Sequence, residues 1–167
     1  MSAGTQRPGG SGLGGDGSPP RPRVLVVDDE DLVRLVVSRT LRVVGFDVSE
    51  ARDGLDALGC LATVAPDLVL TDFNMPRCNG ERLCIEIRRQ RDAADVRVVM
   101  MTGGPLDEAR MRQLGCDAVI YKPLPDRLPQ LLAAILRGPT PAGRPGGSAR
   151  GRRRSAAPST GGVDAPR

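Results

Sequence analysis

Between residues 23 and 138 the chain alternates short apolar runs with stretches of helical period, and that alternation leaves few folds open. The continuous runs are Val24-Leu25-Val26-Val27, Leu68-Val69-Leu70-Thr71, Val98-Val99-Met100-Met101 and Val119-Ile120-Tyr121. Unbroken apolar runs of this length are those of strands covered on both faces. Phe46-Asp47-Val48-Ser49-Glu50 alternates instead, as a half-exposed strand near a sheet edge does. The stretches between read as helices. The first starts at about Asp31, carries apolar Leu32, Val33, Val36, Val37, Leu41 and Val44, and is closed by Gly45. The second is capped by Asp53 and stops before Pro66, and the third covers 81–91 with Leu83 and Ile87 inward. A short, weakly patterned fourth helix at 106–114 is expected to be the most mobile. The last, 125–136, turns Leu128, Leu131, Leu132 and Ile135 to the sheet. Five βα units are too few for an eight-stranded barrel and indicate an open α/β sheet, parallel, with helices on both faces.

Composition narrows the chemistry. The 167 residues include no histidine, which excludes serine or cysteine catalysis through an imidazole, His-ligated metals and a phosphohistidine donor role. Cys60, Cys78, Cys84 and Cys116 form no CxxC pair and read as thiols in a reducing compartment. The first 22 residues lack the apolar core of a secretory signal, and no apolar stretch approaches the ~20 residues of a membrane span. A cytoplasmic location without membrane insertion is the expectation. Residues 1–22 and 139–167 are rich in Gly, Pro, Ser, Ala and Arg and are expected to be disordered tails around a domain at 23–138. The charge of +4 is uneven: the domain carries 16 basic against 18 acidic residues, whereas the last 29 residues hold six Arg against Asp164.

The polar residues that follow the apolar runs are of matching kinds. Asp28-Asp29, Asp72, Thr102 and Lys122 each stand at or just past the end of a separate strand. Open α/β sheets bind ligands outside the carboxyl ends of their strands, so these side chains share one rim. Lys122 is the only lysine beside 23 arginines, which marks a place needing a compact ammonium rather than a planar guanidinium. Clustered carboxylates repel unless a cation joins them, and oxygen-only donors indicate Mg²⁺ or Mn²⁺. Asp72 is then the candidate nucleophile, forming an aspartyl-phosphate, with Thr102 and Lys122 on the phosphoryl oxygens. Taken singly, an Asp pair is also a common helix cap, and Asp72 before Asn74-Met75-Pro76 a common turn. Their occurrence after separate strands is what carries the reading.

These residues lie in VLVVDDE at 24–30, LVLTDFNMPRCNG at 68–80, VVMMTGG at 98–104 and GCDAVIYKPL at 115–124. As a set they resemble the receiver domain of two-component response regulators, over the whole of 23–138. The resemblance implies a flavodoxin-like, five-stranded parallel sheet in the order 2-1-3-4-5 with five helices. It implies phosphoryl transfer to Asp72 from a sensor histidine kinase or phosphotransfer protein. Asp29, Asp72 and the backbone carbonyl of Asn74 would bind Mg²⁺ (or Mn²⁺), and Asp28 would assist through water. Such domains couple the Thr hydroxyl to an aromatic three residues before the Lys. Here that position holds Val119, with Tyr121 on the same face, so activation is expected to run through 106–114 behind Gly103-Gly104-Pro105.

The leading functional expectation is a stand-alone receiver. It would be a phosphorylation-controlled switch rather than a conventional enzyme, engaging a downstream protein through the 106–136 face. A phosphate sink or relay intermediate is the neighbouring possibility. A second class is nucleic-acid binding through Arg150, Arg152, Arg153 and Arg154, although the tail has no aromatics for base stacking. An aspartyl-phosphate hydrolase would need an Asp at the position of Asn74, and an FMN binder a phosphate loop and flanking aromatics. Neither pattern is present.

Overall fold

The computed structural model describes residues 20–139 apart from 91, 92 and 94. The tail expectations for 1–19 and 140–167, with the nucleic-acid candidates Arg150, Arg152, Arg153 and Arg154, lie outside the described residues. The elements follow one another as β1 (Arg23–Val27), α1 (Asp31–Val43), β2 (Asp47–Ala51), α2 (Gly54–Val64), β3 (Leu68–Asp72), α3 (Gly80–Arg89), β4 (Arg97–Thr102), α4 (Glu108–Gln113), β5 (Ala118–Tyr121) and α5 (Leu128–Arg137). All neighbouring strands are parallel, and the sheet order is β2-β1-β3-β4-β5. Expected order and element types agree with the structure.

Alternate side chains of each central strand enter opposite cores, as the pleat requires. Leu25, Val27, Val69, Val98 and Met100 join Leu61, Leu83, Ile87 and Met111 beneath α2, α3 and α4. Val24, Val26, Leu68, Leu70, Val99, Met101 and Ile120 join Val37, Leu41, Leu128 and Leu132 beneath α1 and α5. β3 and β4 are buried throughout, which explains their unbroken apolar runs. β2 lies at the edge with two exposed positions, matching its alternation.

The differences from expectation are local. α1 buries Val37, Ser38 and Leu41, but Leu32, Val36 and Val44 from its expected apolar set face outward, Leu32 being 67% exposed. A helix covering one face of a sheet hides only one stripe, and α1 has more apolar residues than that stripe accommodates. Asp72 closes β3 rather than following it, since its residue still pairs with Met101. α5 begins at Leu128, later than expected, because the Pro125 carbonyl first accepts the Leu128 amide in a turn. Leu131 is only half-buried.

A buried ion network at the opposite end of the sheet from the strand carboxyl ends ties the later elements together. Asp117 accepts from Arg88 Nη2 at 3.2 Å, from Arg97 Nη1 at 2.9 Å and from the Val98 amide at 2.8 Å. Arg88 donates further to the carbonyls of Gly115 and Val96, and Arg97 to that of Gly138. Removing one partner from such a network leaves the remaining buried charges uncompensated. Asp117→Ala is therefore expected to lower stability by about 3–5 kcal/mol, read from urea unfolding. A loss comparable to that of a surface substitution would contradict this reading.

Candidate functional site at the strand carboxyl ends

The candidate site is assembled by ladder hydrogen bonds that run one residue past the strands. The Asp28 amide donates to the Ala51 carbonyl, and the Lys122 amide to the Thr102 carbonyl at 2.8 Å. Asp28, Asp72 and Lys122 thus keep the parity of Val26, Leu70 and Ile120, on the α1 and α5 side of the sheet. Lys122 Nζ lies 2.6 Å from Asp72 Oδ1 and 3.1 Å from Asp28 Oδ2, so one ammonium joins two carboxylates from adjacent strands. Asp28 is 1% exposed and Asp72 6%. Burial by itself lowers the proton affinity of the Lys122 ammonium. The hydrogen bonds and charges of Asp72 and Asp28 outweigh it and hold the group above its ordinary value.

The other carboxylate oxygens are also engaged. Asp72 Oδ2 accepts the Asn74 amide at 2.7 Å, and Asp28 Oδ1 accepts that of Glu30 at 2.9 Å. Asn74 and Asp29 are exposed beside the pair. Thr102 is buried, and its hydroxyl donates to the Gly104 carbonyl and accepts the Gly104 amide, both at 3.2 Å. The structure therefore brings Asp28, Asp72 and Lys122 into direct contact, with Asn74 reaching Asp72 through its amide. It places Asp29 at the rim, and turns Thr102 to the loop before α4.

Two contributors to this geometry carried no signal that was read in the sequence. Gly80 opens α3 where an added Cβ would stand 2.5 Å from the Asp72 carbonyl oxygen and from Met100 Sδ, so glycine allows α3 to press against the end of β3. Arg77 pairs with Asp53, which the sequence marked only as the cap of α2. Its place directly after Met75-Pro76 is the one available hint. The thiols take no part in the rim. Cys60 is half-buried and the other three are buried, and burial, aided by neighbouring Cys84, pushes the Cys116 thiol up to about 12.

The donors gathered here are oxygens, with no imidazole or thiolate among them. Among the described residues no three acidic, Cys or His side chains form a ready-made metal cluster. Mg²⁺, however, takes only one or two carboxylates directly and completes its shell with water. Asp28 and Asp72, held to one ammonium beside exposed Asp29, satisfy that need, so these residues fit a hard divalent cation.

The family model for the response regulator receiver domain matches residues 24–135. The chain belongs to that family. The receiver resembles Response regulator MprA of Mycolicibacterium vanbaalenii, with 38% identity over 76% of this chain and 55% of that protein. It also resembles the probable transcriptional regulator ycf27 of Guillardia theta, with 35% identity over 70% of this chain and 46% of that one. The chain thus spans about half the length of these curated relatives. Among solved structures, the chemotaxis protein CheY4 of Vibrio cholerae superposes with a TM-score of 0.66 at 28% identity, covering 70% of this chain and 99% of that one. The signal receiver domain of the putative response regulator NarL from Mycobacterium tuberculosis gives 0.65 at 26% identity, covering 72% and 100%. Receiver domains are signalling modules of two-component systems rather than conventional enzymes. Among the described residues no helix is long and apolar enough to cross a membrane.

The raised pKa of Lys122 has a direct consequence for stability. A cationic group held above its ordinary value of 10.5 stabilises the fold in full below that pH and loses its contribution as pH rises through the folded value. Urea midpoints of wild type and Lys122→Met are accordingly expected to differ at neutral pH and to converge above pH 10.5. A gap that stayed constant through the alkaline range would show that the ammonium does not hold the carboxylates.

Proposed function

We propose that this receiver accepts a phosphoryl group on Asp72 from a phosphohistidine of a sensor kinase or phosphotransfer protein, and that the modification switches a protein-binding surface. The observation that carries the reading is the Lys122 ammonium in contact with both Asp28 and Asp72. In the transfer, an Asp72 carboxylate oxygen bonds to phosphorus as the donor's P–N bond breaks, and the bonding pair leaves with the imidazole nitrogen. The product is an acyl phosphate, and no general base is needed because the nucleophile is already an anion. Asp29, Asp72 and the Asn74 carbonyl would hold Mg²⁺, with Asp28 assisting through water. Bound there, the ion would supply charge neutralisation for the transfer. Lys122 exchanges its contact with Asp72 for one with a phosphoryl oxygen, as a point charge that follows the displaced negative charge.

Thr102 couples the site to the surface. Its hydroxyl holds Gly104 in both directions, and donation to a phosphoryl oxygen would release the Gly104 carbonyl. Gly103-Gly104-Pro105 leads directly into α4, whose first turn is joined to β5 by Tyr121 Oη donating to Glu108 Oε1 at 3.1 Å. Val119, at the position of the family's aromatic, is half-buried and packs into the core under α2, α3 and α4. Tyr121 on the same strand face is exposed and touches α4, which favours α4 as the element that moves and the 106–136 face as the output surface.

Incubation of the protein with Mg²⁺ and acetyl phosphate is expected to add one phosphoryl group per chain by intact mass. The adduct should disappear with EDTA and in Asp72→Asn. Absence of an adduct with wild type, or an equal adduct in the variant, would overturn the assignment. Tyr121 is the chain's only tyrosine and there is no tryptophan, so its emission reports on α4. Phosphorylation is expected to change that emission in wild type and to leave it unchanged in Thr102→Ala that still takes the phosphoryl group. An equal change in both would remove Thr102 from the route.

A further inference from the structure

Arg77 occupies a backbone position that suits glycine. Its φ of +64° lies in the left-handed region, at the centre of a tight turn in which the Cys78 amide donates to the Pro76 carbonyl at 2.6 Å. A side chain with a β-carbon adopts this conformation readily only when something else holds it there. Here the holding group is Asp53. Its Oδ1 accepts the amides of Leu55 and Asp56 at 2.9 Å and so caps α2, while Oδ2 receives Arg77 Nη2. The Arg77 side chain is 56% exposed, whereas that of Asp53 is only 2% exposed, so an arginine from the surface reaches inward to neutralise a buried carboxylate.

A second set of contacts joins the same two segments. The Gly54 amide donates to the Cys78 carbonyl at 3.2 Å. A Cβ on Gly54 would lie 2.6 Å from both the carbonyl oxygen and the Sγ of Cys78, so the loop between β3 and α3 rests flush on the start of α2. The ends of that loop are held separately, by the Asn74 amide on Asp72 Oδ2 and the Gly80 amide on the Phe73 carbonyl. Arg77 and Cys78 in that loop are held by Asp53 and Gly54 at the start of α2.

We infer that Asp53 and Arg77 form a positioning pair that fixes the loop carrying the Asn74 carbonyl, and thereby sets the affinity of the rim for Mg²⁺. The inference rests on the function proposed above. Neither residue touches the phosphoryl group. Mg²⁺ demands near-octahedral ligand geometry, so a carbonyl whose loop is free to rotate is a poorer ligand than one held in place. The pair also links the N-terminus of α2 to the metal-binding loop, and a partner that draws Arg77 away from Asp53 would weaken Mg²⁺ binding without reaching the rim.

The test separates the side chain from the backbone it strains. Arg77→Gly removes the guanidinium and suits the positive φ, Arg77→Ala removes the guanidinium and keeps the strain, and Arg77→Lys retains a cation. Asp53→Asn retains the cap oxygen without its charge. Mg²⁺ dissociation constants are measured by calorimetry on the unphosphorylated full chain. Half-saturating Mg²⁺ for acetyl-phosphate labelling and melting temperatures in EDTA are measured alongside. Arg77→Gly, Arg77→Ala and Asp53→Asn are expected to weaken Mg²⁺ binding about tenfold, the usual scale for residues that orient a ligand. Arg77→Lys should restore most of it, and Arg77→Gly should melt in EDTA close to wild type. Wild-type Mg²⁺ affinity in Arg77→Gly would overturn the pair, as would weakening in Arg77→Ala that Arg77→Gly does not share. Wild type that neither binds Mg²⁺ nor takes a phosphoryl group would instead overturn the functional reading, and the pair with it.

Discussion

Asp28 and Asp72 stand at the ends of adjacent parallel strands, buried on the same side of the sheet, and two such carboxylates would repel without a cation between them. Lys122 supplies it from β5, which lies beyond β4 in the sheet order. Its side chain must therefore cross the end of β4. The parity of that strand leaves the way open, because Met101 faces the α1 and α5 core and Thr102 falls on the opposite parity, held to Gly104. An ammonium at the tip of a flexible stem fits this span and can follow charge as it moves. The strand order, the register and the choice of lysine all bear on one nitrogen and two carboxylates.

The same order places the candidate site and the buried Asp117 network at opposite ends of the sheet. At the carboxyl ends, the partly exposed Lys122 lies against two buried carboxylates, and under the proposed function it would change partner. At the other end, Asp117 binds Arg88 and Arg97 deep in the structure, with main-chain groups from Val96, Gly115 and Gly138 completing the hydrogen bonding. A dense buried network there fastens β4, the entry to β5 and the end of α5 to α3. At the rim, the contacts of Thr102 on Gly104 and Tyr121 on Glu108 are the ones that phosphorylation would exchange under the proposed function.

Strands, helices and rim residues were legible because each leaves a local trace. The unbroken runs of β3 and β4 mark burial on both faces, and the polar residue closing each run marks the rim. The order of the strands had no such trace and came from resemblance to a family. What stayed hidden depends on contacts between distant residues. Nothing local joins Arg77 to Asp53 across 24 positions, or Asp117 to Arg88 across 29. The exposed side of α1 has a related cause: Leu32 and Val36 are apolar like the buried Val37 and Leu41, and only the tertiary placement of the helix separates them.

Under the proposed function Asp72, and no other carboxylate at the rim, becomes the acyl phosphate. Borohydride reduces an acyl phosphate to the corresponding alcohol, so an aspartyl-phosphate is converted to homoserine at the modified position. Peptide sequencing by mass spectrometry after acetyl-phosphate labelling in Mg²⁺ and borohydride treatment is expected to find homoserine at position 72, with Asp28, Asp29 and Asp53 unchanged. Homoserine at any of those three positions instead, or at none while the intact chain carries a phosphoryl group, would contradict the claim.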